Sequence, residues 1–152
     1  DLDPQNFATI STGLEWREAK ATIATAFLED GQLADAILPG KVPNLDIIPG
    51  DRRLASTDVM LADTKGRERI LKDKIEKLRH RYDHILIDNP PSLSLLTINA
   101  LMASDNYVIT VSPSFLSLVG LQSLLETVEI VRKICMPRLN YWEFSQPWLI
   151  FG

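Results

Sequence analysis

The sequence predicts one doubly wound α/β domain, in which a mainly parallel sheet carries helices on both faces. Its 152 residues are 45% hydrophobic and 24% charged, which is typical of a single globular domain. Segments with helical spacing alternate with short apolar runs along the chain, as in parallel sheets with right-handed crossovers. Two runs, 85–87 and 107–111, are almost continuously apolar, as expected for strands covered on both faces.

Short local patterns define the elements of the first half of the chain. Residues 1–5 are predicted to be the end of a strand, because Pro4 interrupts strand pairing, and the polar residues of 6–13 favour a loop. Apolar residues at helical spacing predict a helix over Trp16–Leu28. The segment 45–48 is predicted to be a short strand that ends in a turn.

The second half alternates helices with the two apolar runs. Residues 67–81 have an apolar stripe on one side and charges of alternating sign four residues apart on the other, which predicts a helix with a solvated charged face. The remaining predicted helices are 54–61, 95–103 and 118–133.

Charge and cysteine content exclude several classes of protein. A net charge of −4 argues against a protein that coats nucleic acid with its whole surface, so any contact with DNA would need a local basic patch. Arg132, Lys133 and Arg138 form such a group, which we interpret as a solvated helix end. The single cysteine, Cys135, cannot form an internal disulfide and has no neighbouring zinc ligands. No apolar run reaches the roughly 20 residues that cross a bilayer.

Acidic side chains stand where predicted strands end. Asp1 and Asp3 lie at the end of the first strand, and Asp88 directly follows the run 85–87. Ligands of open parallel sheets bind outside the carboxyl ends of the strands. An aspartate after an apolar strand is the form of a Walker B site, where a carboxylate holds magnesium, often through its water shell. These residues alone also allow a structural interpretation, as turn-forming or solvated acids.

Two blocks of sequence carry a family resemblance. The segment 1–5, Asp-Leu-Asp-Pro-Gln, is followed by Ala8-Thr9, and the segment 82–93 reads Tyr-Asp-His-Ile-Leu-Ile-Asp-Asn-Pro-Pro-Ser-Leu. The residues of both blocks, and the order of the blocks in the chain, resemble those of the ParA/Soj partition ATPases. These proteins are relatives of MinD with a deviant Walker A motif. The resemblance implies a P-loop NTPase-like fold, incomplete in this chain.

The resemblance also implies roles for individual residues. Asp3 matches the acid that positions the attacking water, Asp1 lies nearer the metal, and Asp88 orders the waters of magnesium. The implied nucleotide-sensing residues are Pro4 and Gln5 in the first switch, and Pro90, Pro91 and Ser92 in the second. The implied cofactors are ATP and Mg²⁺.

Family members imply partners as well. A complete member is expected to form a homodimer on binding ATP, to bind DNA nonspecifically, and to be stimulated by a ParB-like centromere-binding protein that links it to plasmids or chromosomes. It is expected to be cytoplasmic and nucleoid-associated. Two alternatives stay open: a noncatalytic remnant able at most to pair with intact homologues, and a MinD-like positioning ATPase that acts on a membrane or a protein cluster.

Two departures from the family pattern qualify these expectations. The glycine-rich loop whose N–H groups cradle phosphates is missing, and Gly40-Lys41 is no substitute because Val42 replaces the required Ser or Thr. We therefore expect a partial ATPase domain over 1–140. The aromatic tail 141–152 diverges from the family, and we hypothesise a frameshift near Asn140, which the nucleotide sequence would test. The alternative is a divergent, aromatic C-terminal helix or strand.

Overall fold

The structure is a computed structural model that describes residues 1–14, 17, 19–90, 92, 94–110, 125–126, 128–130, 132–133 and 140–141. The chain divides into two compact units, Asp1–Ala103 and Ser104–Gly152. Within the described residues, no helix has both the length and the apolar character needed to span a membrane.

Short helices dominate the first unit. They are α1 (Phe7–Ser11), α2 (Ile23–Leu28), α3 (Thr57–Met60), α4 (Ile70–Ile75) and α5 (Leu95–Ala103), with 3₁₀ turns at Leu33–Ala36, Arg52–Ser56, Arg67–Arg69 and Arg79–Arg81. A short strand, β1 (Leu38–Pro39), pairs antiparallel with β2 (Asp46–Ile47), and Leu38 stands opposite Ile47. The predictions of helix over 95–103 and of a strand within 45–48 are therefore confirmed.

Helix α2 begins later than the predicted Trp16. Thr22 lies directly before it in an extended conformation, and its backbone N–H donates to Thr25 Oγ1 at 3.2 Å. The Thr22 hydroxyl donates to Asp51 Oδ2 at 2.8 Å, so this residue serves as a boundary rather than as part of the helix. Partial burial disfavours the charged form of Asp51, but the hydrogen bonds from Arg53 and Thr22 and the positive charge of Arg53 together outweigh it and hold the pKa of this carboxyl below its ordinary value.

The apolar core of this unit joins α2, α4, α5 and the 3₁₀ turns Leu33–Ala36 and Arg52–Ser56. Its buried residues are Leu2, Ile23, Ala24, Ala26, Phe27, Leu33, Leu54, Leu61, Leu71, Ile75, Leu78, Leu95, Leu96, Ala100 and Ala103. The stripe predicted within 67–81 supplies three of them, Leu71, Ile75 and Leu78, although that segment is divided between two 3₁₀ turns and α4. Such a stripe places the apolar side of the segment against the core. Burying it stabilises the folded state by roughly 25 cal/mol per Å² of apolar surface removed from water.

A fully buried amide, Asn99, fastens α5 to the start of α4. Its Oδ1 accepts the Leu71 N–H at 3.1 Å. Its Nδ2 donates to Arg67 O at 2.8 Å and to Leu95 O at 3.0 Å. Because buried polar groups are costly when unpaired, the two bonds to Leu71 and Arg67 fix α5 against the start of α4, while the bond to Leu95 lies within α5.

Three predictions of local structure are wrong. Residues 1–5 were expected to be the end of a strand, but no strand is assigned there. The segment 6–13 was expected to be a loop but contains α1, which begins after Asn6, whose φ of 60° makes a sharp left-handed turn. The run 85–87 was expected to be a strand, yet no strand is assigned there. A strand needs hydrogen-bonding neighbours. One backbone bond at the end of this run, from Leu2 N to Asp88 O at 2.8 Å, joins it to the first segment.

The second unit contains a parallel strand pair. Strand β3 (Asn106–Tyr107) pairs with β4 (Asn140–Tyr141), and Asn106 stands opposite Asn140. The predicted strand over 107–111 is shorter than expected, since 108–110 are not in a strand and 111 is not described. Helical residues at 125–126, 128–130 and 132–133 agree with the predicted helix over 118–133. The rest of that helix, Cys135, Arg138 and 142–152 lie outside the described residues.

Candidate functional site

The two segments that carry the predicted site residues lie side by side. The Leu2 N–H donates to Asp88 O at 2.8 Å, so the backbone between Asp1 and Asp3 runs beside Asp88. Leu2 itself is buried in the core, which anchors this contact, whereas the Asp88 side chain is exposed. The chain therefore places the backbones of its first and last candidate acids next to each other although they are far apart in sequence.

The Asp1 carboxylate organises the segment that follows it. Its Oδ1 accepts the Asp3 N–H at 3.1 Å. Its Oδ2 accepts the backbone N–H of Thr9 at 2.8 Å and the Thr9 hydroxyl at 2.7 Å. A carboxylate offers about four acceptor positions, so these bonds leave roughly one for a metal ion or its water.

Thr9 and Gly50 complete this arrangement, and sequence reasoning assigned neither a role in it. Thr9 is 0% exposed, and its hydroxyl oxygen accepts the Gly50 N–H at 3.0 Å. A Cβ at Gly50 would lie 2.4 Å from Asn6 Oδ1 and 3.1 Å from Asp1 Cγ, so only glycine fits without displacement. Thr9 stands inside the first motif, but nothing in the sequence indicated that it contacts residue 50.

Asp3 is held by its own turn. Its Oδ1 accepts the Gln5 N–H at 2.8 Å, and its backbone oxygen accepts the Asn6 N–H at 3.0 Å. Such side-chain to backbone bonds are typical of aspartate in a tight turn. Asp3 is half-buried and Gln5 is exposed.

The second segment leads from Asp88 into α5. Ser92 is exposed, Pro90 is half-buried, and Pro91 lies outside the described residues. The Ser92 carbonyl accepts the Thr97 hydroxyl at 2.5 Å, within the first turn of α5. Asp58 Oδ1 accepts the Leu95 N–H at 2.8 Å, which satisfies one of the unpaired donors at the start of this helix.

A small open cavity of about 170 Å³ brings parts of both segments together. Its lining residues are Pro4, Leu54, Ala55, Thr57, Asp58, Pro90, Ser92, Ser94 and Leu96. Three residues predicted to sense nucleotide, Pro4, Pro90 and Ser92, therefore share one cavity.

The side-chain oxygens near Leu2 and Asp88 are of the kind that bind a hard cation. Carboxylate and hydroxyl oxygens of the kind found on Asp1, Asp3, Asp88 and Ser92 are ligands that Mg²⁺ accepts directly or through water. Within the described part of the chain, no group of three or more His, Cys, Asp or Glu side chains is positioned to hold a metal ion. These residues thus fit a magnesium ion by chemistry, but the side chains alone do not form a complete coordination shell.

Comparison with known proteins identifies the family. The family model described as AAA domain, AAA_31, matches residues 1–141. The chain is 43% identical over 133 residues to the sporulation initiation inhibitor protein Soj of Bacillus subtilis, covering 88% of this chain and 53% of that protein. It is 34% identical over 142 residues to the chromosome partitioning protein ParA of Caulobacter vibrioides, covering 92% and 53%. The chain thus spans about half the length of these relatives.

Solved structures give the same fold. A cobyrinic acid a,c-diamide synthase from Mycobacterium smegmatis, with bound ATP analog and magnesium, matches with a TM-score of 0.86 at 30% identity, covering 93% of this chain and 57% of that one. Apo McdA from Cyanothece matches with a TM-score of 0.84 at 24% identity, covering 96% and 62%. The predicted α/β fold class is therefore confirmed, and the chain belongs to the AAA_31 family as a ParA-like P-loop NTPase.

Proposed function

We propose that this chain carries the switch and Walker B portion of a ParA-type ATPase that acts in chromosome or plasmid partitioning. The phosphate-binding loop would come from sequence outside these 152 residues, since no glycine-rich loop occurs within them. The observation that carries the proposal is the Leu2–Asp88 hydrogen bond of 2.8 Å, because it joins the two segments from which the family resemblance assigns catalytic and magnesium-ordering acids. The identities of 43% to Soj and 34% to ParA support partitioning over the synthase activity named for one structural neighbour.

The proposed roles follow the contacts of each residue. Asp3, held by its turn, would orient the attacking water, while Asp88 and the remaining acceptor position of Asp1 would hold the waters of magnesium. Bound magnesium would neutralise charge on the phosphate oxygens. The nucleotide-sensing residues are Pro4 and Gln5 in the first switch, and Pro90, Pro91 and Ser92 in the second.

Exposed apolar residues in the Walker B segment support the proposal that another element of the complete protein packs beside it. Leu86 is 88% exposed and Ile85 is 40% exposed, although both belong to an apolar run, while Ile87 packs against the core. Large apolar side chains exposed together commonly mark a surface that another element covers. We propose that the strand preceding the phosphate-binding loop covers this side of the run.

The wider activity is also a proposal. The complete protein would form a homodimer on ATP binding, bind DNA nonspecifically in the cytoplasm, and respond to a ParB-like partner, as the family resemblance of the two sequence blocks implies. The printed names of the relatives support only the partitioning role. A second candidate is a noncatalytic remnant that pairs with intact homologues. This second candidate would hold only if the sequence encoded upstream of Asp1 also lacked a glycine-rich loop.

ATP hydrolysis separates these two functions. We expect the 152-residue chain to show no magnesium-dependent hydrolysis. We define the extended chain as these 152 residues preceded by the residues encoded upstream of Asp1. It should hydrolyse ATP because it regains the backbone N–H groups that bind phosphates. Phosphate release at increasing Mg²⁺ would measure both.

The matched control is Lys41→Ala in the extended chain, since Gly40-Lys41 is the sequence's one Gly-Lys pair. This variant should retain hydrolysis. Activity in the 152-residue chain would contradict the proposed position of the loop, and an inactive extended chain would favour the remnant.

A further inference from the structure

One buried hydroxyl connects three separate parts of the first unit. Thr9 Oγ1 donates to Asp1 Oδ2 at 2.7 Å and accepts the Gly50 N–H at 3.0 Å. The Thr9 backbone N–H donates to the same Asp1 oxygen at 2.8 Å. Because Thr9 is 0% exposed, water does not compete for these bonds.

The bonds continue from Thr9 to the proposed catalytic acid. Asp1, fixed by Thr9, accepts the Asp3 N–H at 3.1 Å and so holds the backbone from which the Asp3 side chain projects. At the other end, Gly50 lies so close to Asp1 and Asn6 that a Cβ would not fit between them. The order of contacts is therefore Gly50 to Thr9, Thr9 to Asp1, and Asp1 to Asp3.

We propose that Thr9 is a positioning residue for Asp3, acting through the Asp1 carboxylate with Gly50 as its fixed point. This inference rests on the proposed function, in which Asp3 orients the attacking water. Removing the hydroxyl leaves the Gly50 N–H and one Asp1 oxygen without their buried partner. The backbone at Asp3 then shifts, while the phosphate-binding loop, which the proposal places outside these 152 residues, keeps its contacts with the nucleotide.

The test compares Thr9→Val, which keeps the shape and removes the hydroxyl, with Thr9→Ser, which keeps the hydroxyl. In the extended chain, Thr9→Val should lower kcat about 10- to 100-fold with KM changed by less than about threefold, as expected when a reacting group is displaced. Thr9→Ser should restore kcat to within about threefold of the unmodified protein. Thr12→Val is the matched control, because the Thr12 hydroxyl, directly after α1, donates to the backbone oxygen Thr9 O at 2.6 Å and not to the Thr9 side chain, and it should leave kcat unchanged.

Amide hydrogen exchange in the 152-residue chain gives a readout independent of ATP. Thr9→Val should speed exchange of the Gly50 N–H at least about tenfold relative to the Leu71 N–H, which bonds to Asn99 and reports on overall opening. Thr9→Ser should leave the exchange rate of the Gly50 N–H unchanged relative to the Leu71 N–H.

The outcomes separate this inference from the proposed function. An inactive extended chain would overturn the function, and unchanged Gly50 exchange in Thr9→Val would still overturn the inference. An active extended chain whose kcat is insensitive to Thr9→Val, or equally sensitive to Thr12→Val, would overturn the inference alone.

Discussion

Asp3→Ala in the extended chain should abolish ATP hydrolysis and leave nucleotide binding largely intact. The Asp3 carboxylate is held by one bond from the Gln5 N–H, in a turn beside the Leu2–Asp88 contact. Its proposed task is to orient water, and removal of a positioned acid or base typically costs about 10²- to 10⁴-fold in rate. Single-turnover phosphate release and a separate titration with a fluorescent ATP analogue would measure the two effects.

Asp63→Ala is the matched control for this variant, because Asp63 is an exposed aspartate outside the site. It should change neither rate nor affinity. If Asp3→Ala weakened nucleotide binding as strongly as it slowed hydrolysis, Asp3 would belong to the binding surface instead, and the assigned role would be wrong.

Asn99→Leu should destabilise the first unit by about 3–5 kcal/mol, since it leaves the buried Leu71 N–H and the Arg67 and Leu95 carbonyls without the Asn99 side chain. Leucine has a similar volume, so the loss would come mainly from unpaired polar groups rather than from a cavity. Urea unfolding followed by circular dichroism would measure the change.

Asn89→Leu provides the comparison, because Asn89 is exposed and donates a single long bond of 3.3 Å to Ile87 O. It should change stability by less than about 0.5 kcal/mol. A loss below about 1 kcal/mol for Asn99→Leu would mean that α4 and α5 are held together by apolar packing alone.

Local patterns in the sequence predicted the elements that depend on local contacts. Helix α5 begins and ends where its apolar spacing indicated, and the stripe over Leu71, Ile75 and Leu78 is buried as expected. The run 85–87 was misassigned because strand formation depends on neighbours that the run itself does not specify. Helix α1 was missed because polar residues there suggested a loop, whereas Asp1 binds the Thr9 N–H and stabilises the turn.

The acids of the candidate site were singled out from the sequence, and their roles stay predictions, whereas the contacts that support them were not predicted. Residues quoted from the two motifs, Asp1, Asp3 and Asp88, lie on backbone segments joined by the Leu2–Asp88 bond. The bond from the Gly50 N–H to Thr9 spans 41 positions, and neither residue type is specific for such a contact. Long-range hydrogen bonds of this kind follow from the fold and become visible only in the structure.

Paramagnetic broadening by Mn²⁺ in the extended chain, added with ADP, tests the location of the site most directly, because Mn²⁺ accepts the same oxygen ligands as Mg²⁺. Amide signals of residues 1–3, Asp88 and Ser92 should disappear first, while those of Leu71 and Asn99 persist. Broadening centred on Gly40-Lys41, or one that spares both 1–3 and 88–92, would show that the metal binds elsewhere and that these acids have another role.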